Sequence, residues 1–287
     1  MKIFARISLI FLSFVLIFPY TASKAGSMDL NMVFVPASEK GDDQDYVNLI
    51  KIIGDLTGIK ITPIRVTDYN AAVEAVRANR AQIAWYGGKT YIQAVEIADV
   101  EAFAAGVRKG DSDASYFAYF VVPSDSELMT LKDVKGTKLA LNSIGSTSGD
   151  LIPQVELMKA GLSVKNKDDF ERVFYAGSHD ACLMAAINKH VDVCGMSSRN
   201  FDARVADGTL DPSLVRIIHR STPVPPPPLA YSKKLPLEIR NKIKTATLEA
   251  HKYGRIGGYG GEMSHYIEIT DSDYDLLREV DKLLNSQ

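Results

Sequence analysis

Two short segments gather hydroxyl, glycine and imidazole groups at strand-to-helix junctions, where a chain can best hold an anion. The first is Asn142-Ser143-Ile144-Gly145-Ser146-Thr147-Ser148-Gly149, between a β-forming run at 138–141 and a helical pattern over about 149–160. Glycines let the backbone approach a ligand closely. Ser and Thr at a helix start place hydroxyl donors beside unsatisfied N–H groups and the positive end of the helix dipole. That makes Ser146, Thr147 and Ser148 an oxyanion cradle, although the same residues would also serve as a plain helix cap. The second segment, Ala176-Gly177-Ser178-His179-Asp180, follows a β run at 172–175 and opens a helical pattern. His179 stands where it can donate to an anion, with its protonation state left open. Tyr69, after Asp68 at another helix start, and Tyr116, opening a β run to 122, each offer an apolar ring with a hydroxyl donor.

Three enzyme signatures are approached and missed. Gly145 to Gly149 mimics a hydrolase nucleophile elbow but has Thr147 at its centre where serine is required. Gly88-Lys89-Thr90 mimics a phosphate loop, yet Ile83 holds the place of its first glycine. The glycines from 254 to 261 never adopt the dinucleotide spacing and follow a helical pattern instead of a strand. No Cys or His spacing resembles a zinc site, so neither a metal nor a cofactor is expected.

Short β runs alternate with amphipathic helical stretches from residue 32 onward, which predicts an α/β protein with largely parallel sheets. Pro123-Ser124-Asp125-Ser126 reads as one connection between lobes, and residues 223–228, five of them proline, as a second, extended one. The expected organisation is residues 26–122 with 222–287 as lobe 1 and 123–221 as lobe 2. The ligand cleft would lie between them, beyond the carboxyl ends of the strands.

The chain has 287 residues, 46% hydrophobic and 24% charged, with 33 Lys and Arg against 35 Asp and Glu. This excludes disorder, collagen repeats and coiled coil, and removes the electrostatic case for nucleic-acid binding. Residues 1–25 read as a secretory signal peptide: Lys2 and Arg6 precede an apolar run at 7–18, and Ser23-Lys24-Ala25 supplies the cleavage site. Losing Lys2, Arg6 and Lys24 takes the formal net charge from −2 to −5. With no later apolar run near the roughly 20 residues of a membrane span and no cysteine at the cleavage site, a free periplasmic monomer is expected. An oxidising compartment permits a bridge between Cys182 and Cys194. Their placement, one in a helical pattern and one ending the next β run, is also that of two small buried residues whose Cβ atoms never face each other, the favoured expectation.

The chain resembles the periplasmic phosphonate- and phosphite-binding proteins of ABC importers (the PhnD type), nearest their phosphite-binding branch. The resemblance rests on Asp68-Tyr69, Ala84-Trp85-Tyr86-Gly87, Tyr116, Ser146-Thr147-Ser148-Gly149 followed by Pro153, Gly177 to His179, Val191-Asp192-Val193 and Asp273-Tyr274-Asp275. It implies a type II periplasmic binding protein fold, two α/β lobes joined by two hinge crossings, and an ABC permease as partner. It also implies a phosphorus oxyanion held by Ser146, Thr147, Ser148 and His179 from one lobe and by Tyr69 and Tyr116 from the other side. In relatives that take 2-aminoethylphosphonate, a Glu twenty residues after the His and an Asp in the second crossing hold the ammonium group. Here those places carry Arg199, read as a surface residue, and Pro227.

Without those carboxylates an ammonium would be desolvated uncompensated, so the expected ligand is phosphite first and methylphosphonate second. The competing readings are an exported phosphatase or phosphonate hydrolase using Ser146 or Ser148 with His179, and a sensor lobe serving a histidine kinase.

Overall fold

Two mixed sheets carry the chain, and both follow one plan. In a computed structural model describing residues 28–39 and 42–286, the first sheet begins with three parallel strands. They are β2 (Lys60–Arg65), β1 (Asp29–Phe34) and β3 (Ile83–Trp85), connected through helices α1 (Val47–Thr57) and α2 (Tyr69–Arg77). β10 (Leu229–Ser232) pairs antiparallel with β3 and with β4 (Val100–Arg108), and the hairpin of β12 (Gly261–Glu268) and β11 (Ile256–Gly258) extends that edge. In the second sheet, β7 (Arg172–Tyr175), β6 (Lys138–Leu141) and β8 (Val193–Ser197) run parallel. β5 (Ala118–Pro123) then lies antiparallel to β8 and β9 (Val215–Arg220). In each sheet the strand beside the parallel trio has just arrived from the other unit. The expected signal peptide, residues 1–25, lies outside the described residues.

Two expectations need correction. The sheets are mixed, because a strand entering from the neighbouring unit joins head to tail with the trio. The strand assigned to lobe 1 up to residue 122 pairs in the second sheet, so the first crossing is 109–117 and contains Tyr116. Residues 123–126 are a tight turn inside the second unit, closed by Ser126 N–H donating to Pro123 O at 3.0 Å. The proline-rich crossing falls where expected, between β9 and β10. Helices α3 (Gly88–Ala98) and α6 (Ser198–Ala206), strand β10 and the glycine-masked hairpin β11–β12 had no distinct signal.

The second sheet is covered on both faces, which is why its strands read as continuous apolar runs. Val121, Ala140, Cys194 and Met196 face α5 (His179–Ile187) with its Leu183 and Ala186. Phe120, Val122, Leu139, Leu141 and Val193 face the opposite side, against Leu157 of α4 (Ile152–Lys159). That alternation aims Cys194 at Cys182, whose Cα lies 5.7 Å away, and the two form a disulfide. The expectation that their Cβ atoms never face is therefore wrong: α5 lies directly on β8, a packing that strand and helix periodicity alone do not specify. The bridge closes a short loop, 12 residues apart in sequence. Replacing both cysteines by alanine should lower unfolding stability by about 2–3 kcal/mol in urea melts while leaving ligand affinity unchanged. A variant as stable as the parent would contradict this.

Candidate functional site

Ser146 caps a π-helical turn, Thr147–Leu151, that precedes α4: its Oγ accepts from Gly149 N–H at 3.1 Å, and Leu151 N–H bonds back to Ser146 O. π turns concentrate at functional sites because the widened turn redirects side chains. Here the turn carries Ser146, Thr147 and Ser148, each 2% exposed. Gly149 is required, since a Cβ there would stand 2.3 Å from Asn142 Cβ and 2.9 Å from His179 Cε1. Gly145 has φ of 95°, and a side chain there would also meet Tyr69.

All six residues selected from sequence line one cavity. Tyr69, Tyr116, Ser146, Thr147, Ser148 and His179 are joined there by Val35, Ala37, Trp85, Gly87, Pro227 and Tyr259, around a cavity of about 10 Å³. That is about the smallest space that holds one water molecule, far below the roughly 300–1,000 Å³ of drug-sized ligand sites. No Asp, Glu, Lys or Arg is among the lining residues.

The donors are preset by their own partners. Thr147 Oγ1 accepts the backbone N–H of Lys89, in the first turn of α3, at 2.9 Å. The buried Asn142 amide lies 3.2 Å from Ser146 Oγ and 3.3 Å from Tyr69 OH, donating to both, and 3.1 Å from His179 Nε2. Ser197 N–H donates to His179 Nδ1 at 3.2 Å. Burial pulls the His179 pKa down to about 3, with Asp180 acting weakly the other way. The Tyr116 hydroxyl is pushed up by burial, against the opposing effect of Ser148 and Thr147.

The two units meet tightly around the cavity. Lys89 Nζ pairs with Asp150 at 2.6 Å, with side chains 13% and 1% exposed, and Asp150 also accepts from Tyr175 OH and Gln154 Nε2. Thr90 Oγ1 donates to Gly145 O at 2.9 Å, and His179 N–H to Ala37 O at 3.2 Å. The crossings themselves are bridged by Tyr116 and Val224.

A family model for the periplasmic substrate-binding protein of phosphonate ABC transporters matches residues 32–274. The chain belongs to this family. Its members are substrate-binding transport subunits, not enzymes, and they are periplasmic. The chain is 29% identical over 191 residues to the phosphonates-binding periplasmic protein of Escherichia coli, covering 65% of this chain and 55% of that one. It is 25% identical over 278 residues to the phosphate-import protein PhnD of Mycolicibacterium smegmatis, covering 90% and 86%. The solved structure of PhnD1 from Prochlorococcus marinus in complex with methylphosphonate superposes with a TM-score of 0.77 at 20% identity, covering 90% and 99%. The fold is the type II periplasmic binding protein fold that the sequence resemblance implied.

Arg199 corrects another expectation. It is 2% exposed, not on the surface, because α6 begins directly after β8 and turns this side chain inward. It does not line the cavity. Sequence reasoning also missed Tyr259, Val35 and Ala37 as lining residues, and Asn142 as the amide behind them. Only the glycines flanking Tyr259 hinted at a close approach.

The His179 shift makes a testable link to stability. The unfolded chain protonates this ring near 6.5 and the folded chain only near 3, so the unfolded state binds the extra proton between those values. Stability should therefore fall as pH drops from about 6.5 towards 3, with His179 contributing up to about 1.4 kcal/mol per pH unit. An H179N variant should show a correspondingly shallower slope in denaturant melts between pH 4 and 6.5. Identical slopes would count against a buried neutral imidazole.

Proposed function

We propose that the chain is the exported substrate-binding subunit of an ABC importer that captures a small, amine-free phosphorus oxyanion, phosphite or methylphosphonate, and delivers it to the permease. Residues 1–25 act as the cleaved signal peptide, and the two units close as lobes around the ligand as a monomer. Tyr69, Tyr116, Ser146, Thr147, Ser148 and His179 supply the contacts.

One observation carries the reading: an uncharged cavity in which the oxygens of Ser146 and Thr147 already accept protein N–H groups. The Ser146 hydrogen, and the Thr147 hydrogen once it turns from Tyr116, can then be offered to a ligand that only accepts. Val35, Ala37 and Pro227 add apolar residues to the lining, a carbon wall that would suit a P–H or P–CH3 group. A fourth oxygen there would lose its hydrogen bonds, at a cost of roughly 1–3 kcal/mol. An ammonium group would meet no carboxylate.

The hydrolase reading is disfavoured by the same geometry. His179 Nδ1 is occupied by Ser197 N–H, and a ring with a pKa of about 3 is a poor base for a serine. Calorimetry across four ligands tests the assignment. Phosphite and methylphosphonate should bind, phosphate roughly ten- to a hundredfold more weakly, and 2-aminoethylphosphonate more weakly still. Binding should perturb the fluorescence of Trp85, the single tryptophan. Phosphate binding as tightly as phosphite would sink the carbon-wall argument, and turnover of an aryl phosphonate lost in H179N would favour the hydrolase.

Closure gives a second test. K89M leaves Asp150 buried without its cation only when the lobes are shut, a penalty of about 3 kcal/mol. It should weaken phosphite binding by about a hundredfold or more while barely moving the melting temperature of the unliganded protein. A large loss of unliganded stability with intact affinity would show that the pair serves folding instead.

A further inference from the structure

Arg199 is a buried charge held by carbonyl oxygens, with no counter-charge beside it. Its Nη1 donates to Tyr259 O at 3.3 Å, and its Nη2 to Ala114 O at 2.7 Å and Gly106 O at 3.2 Å, while Nε is buried with no partner. Among the described residues no carboxylate lies within ion-pair distance of it. Asp111 and Asp113 act on it only from farther out, and Asp111 is already paired with Arg108. Carbonyl dipoles ease the burial of a guanidinium without cancelling it, and an unpaired buried charge is costly.

The charge sits one aromatic ring from the cavity. Arg199 Cζ lies 6.0 Å from the centroid of the Tyr116 ring, and the carbonyl it grips belongs to Tyr259; both residues line the cavity. Beside the cavity Lys89 is paired with Asp150 and Arg204 with Asp180. An oxyanion entering this space would be the missing partner.

We propose that Arg199 is the counter-charge of the bound oxyanion, acting through Tyr116 without touching the ligand, and that it sets a preference for dianions over monoanions. This rests on the phosphorus-oxyanion reading above. Because Arg199 would be a positioning and electrostatic residue that also ties α6 to carbonyls of the first unit, the test must separate charge from structure.

Phosphite, above its second ionisation, is a dianion, and hypophosphite is a tetrahedral monoanion. Coulomb energy is linear in ligand charge, so R199Q should weaken hypophosphite about tenfold and phosphite on the order of a hundredfold. R199K, which loses the same fan of hydrogen bonds but keeps the charge, should retain most of the phosphite preference. Equal losses for both ligands, or R199K behaving as R199Q, would overturn the proposal. A measurement on the intact protein covers the case in which R199Q does not fold. Phosphite titrations in two buffers of different ionisation enthalpy should show no proton uptake, and uptake approaching one proton per ligand would overturn it. A parent protein that binds neither ligand would overturn both this inference and the functional reading beneath it.

Discussion

A buried hydroxyl has two lone pairs and one hydrogen, and what it can do for a ligand depends on which of them the protein has already taken. Ser146 accepts from Gly149 N–H and the Asn142 amide, and Thr147 from Lys89 N–H. Much of the local architecture serves those acceptances. The π turn brings Gly149 N–H back to Ser146, the absence of a side chain at 149 lets Asn142 and His179 close in, and α3 points its first turn at Thr147. A groove of the same residues with their oxygens unfilled would welcome donors as readily as acceptors.

The Thr147 contact also links recognition to shape. Its partner, Lys89 N–H, comes from the first sheet's unit, while Thr147 belongs to the second. The donor set is therefore complete only when the two units are together, and the same helix turn supplies the Lys89 side chain to Asp150. Charge follows a similar division: the lining is neutral, Lys89 is paired with Asp150, and the buried cation Arg199 is set back behind an aromatic ring.

Five of the six cavity-lining residues named from the sequence obey a local rule. Each of Ser146, Thr147, Ser148, His179 and Tyr69 sits at a strand-to-helix junction, and in α/β sheets such junctions gather at one edge. The alternation of elements followed for the same reason. What stayed hidden depends on packing between distant segments. That β5 joins the second sheet is a matter of pairing partner, to which its apolar pattern is indifferent. The Cys182–Cys194 bridge and the inward turn of Arg199 depend on how α5 and α6 lie against β8. Tyr259 sits in a hairpin so rich in glycine that it carries no strand signal, and it reaches the cavity only through the fold of the first sheet's far edge.

The bridge between Tyr116 and Val224 ties the two crossings together, and Tyr116 is at once part of that tie and part of the cavity wall. When two bodies rotate about a shared axis, atoms on the axis travel least and those at the rim travel most. If the two units close as proposed, Tyr116 is already in place when they are apart, whereas Lys89 arrives with the other unit. An incoming anion would be caught first at the pivot and enclosed outward from it, so the encounter complex and the sealed complex share their innermost contact.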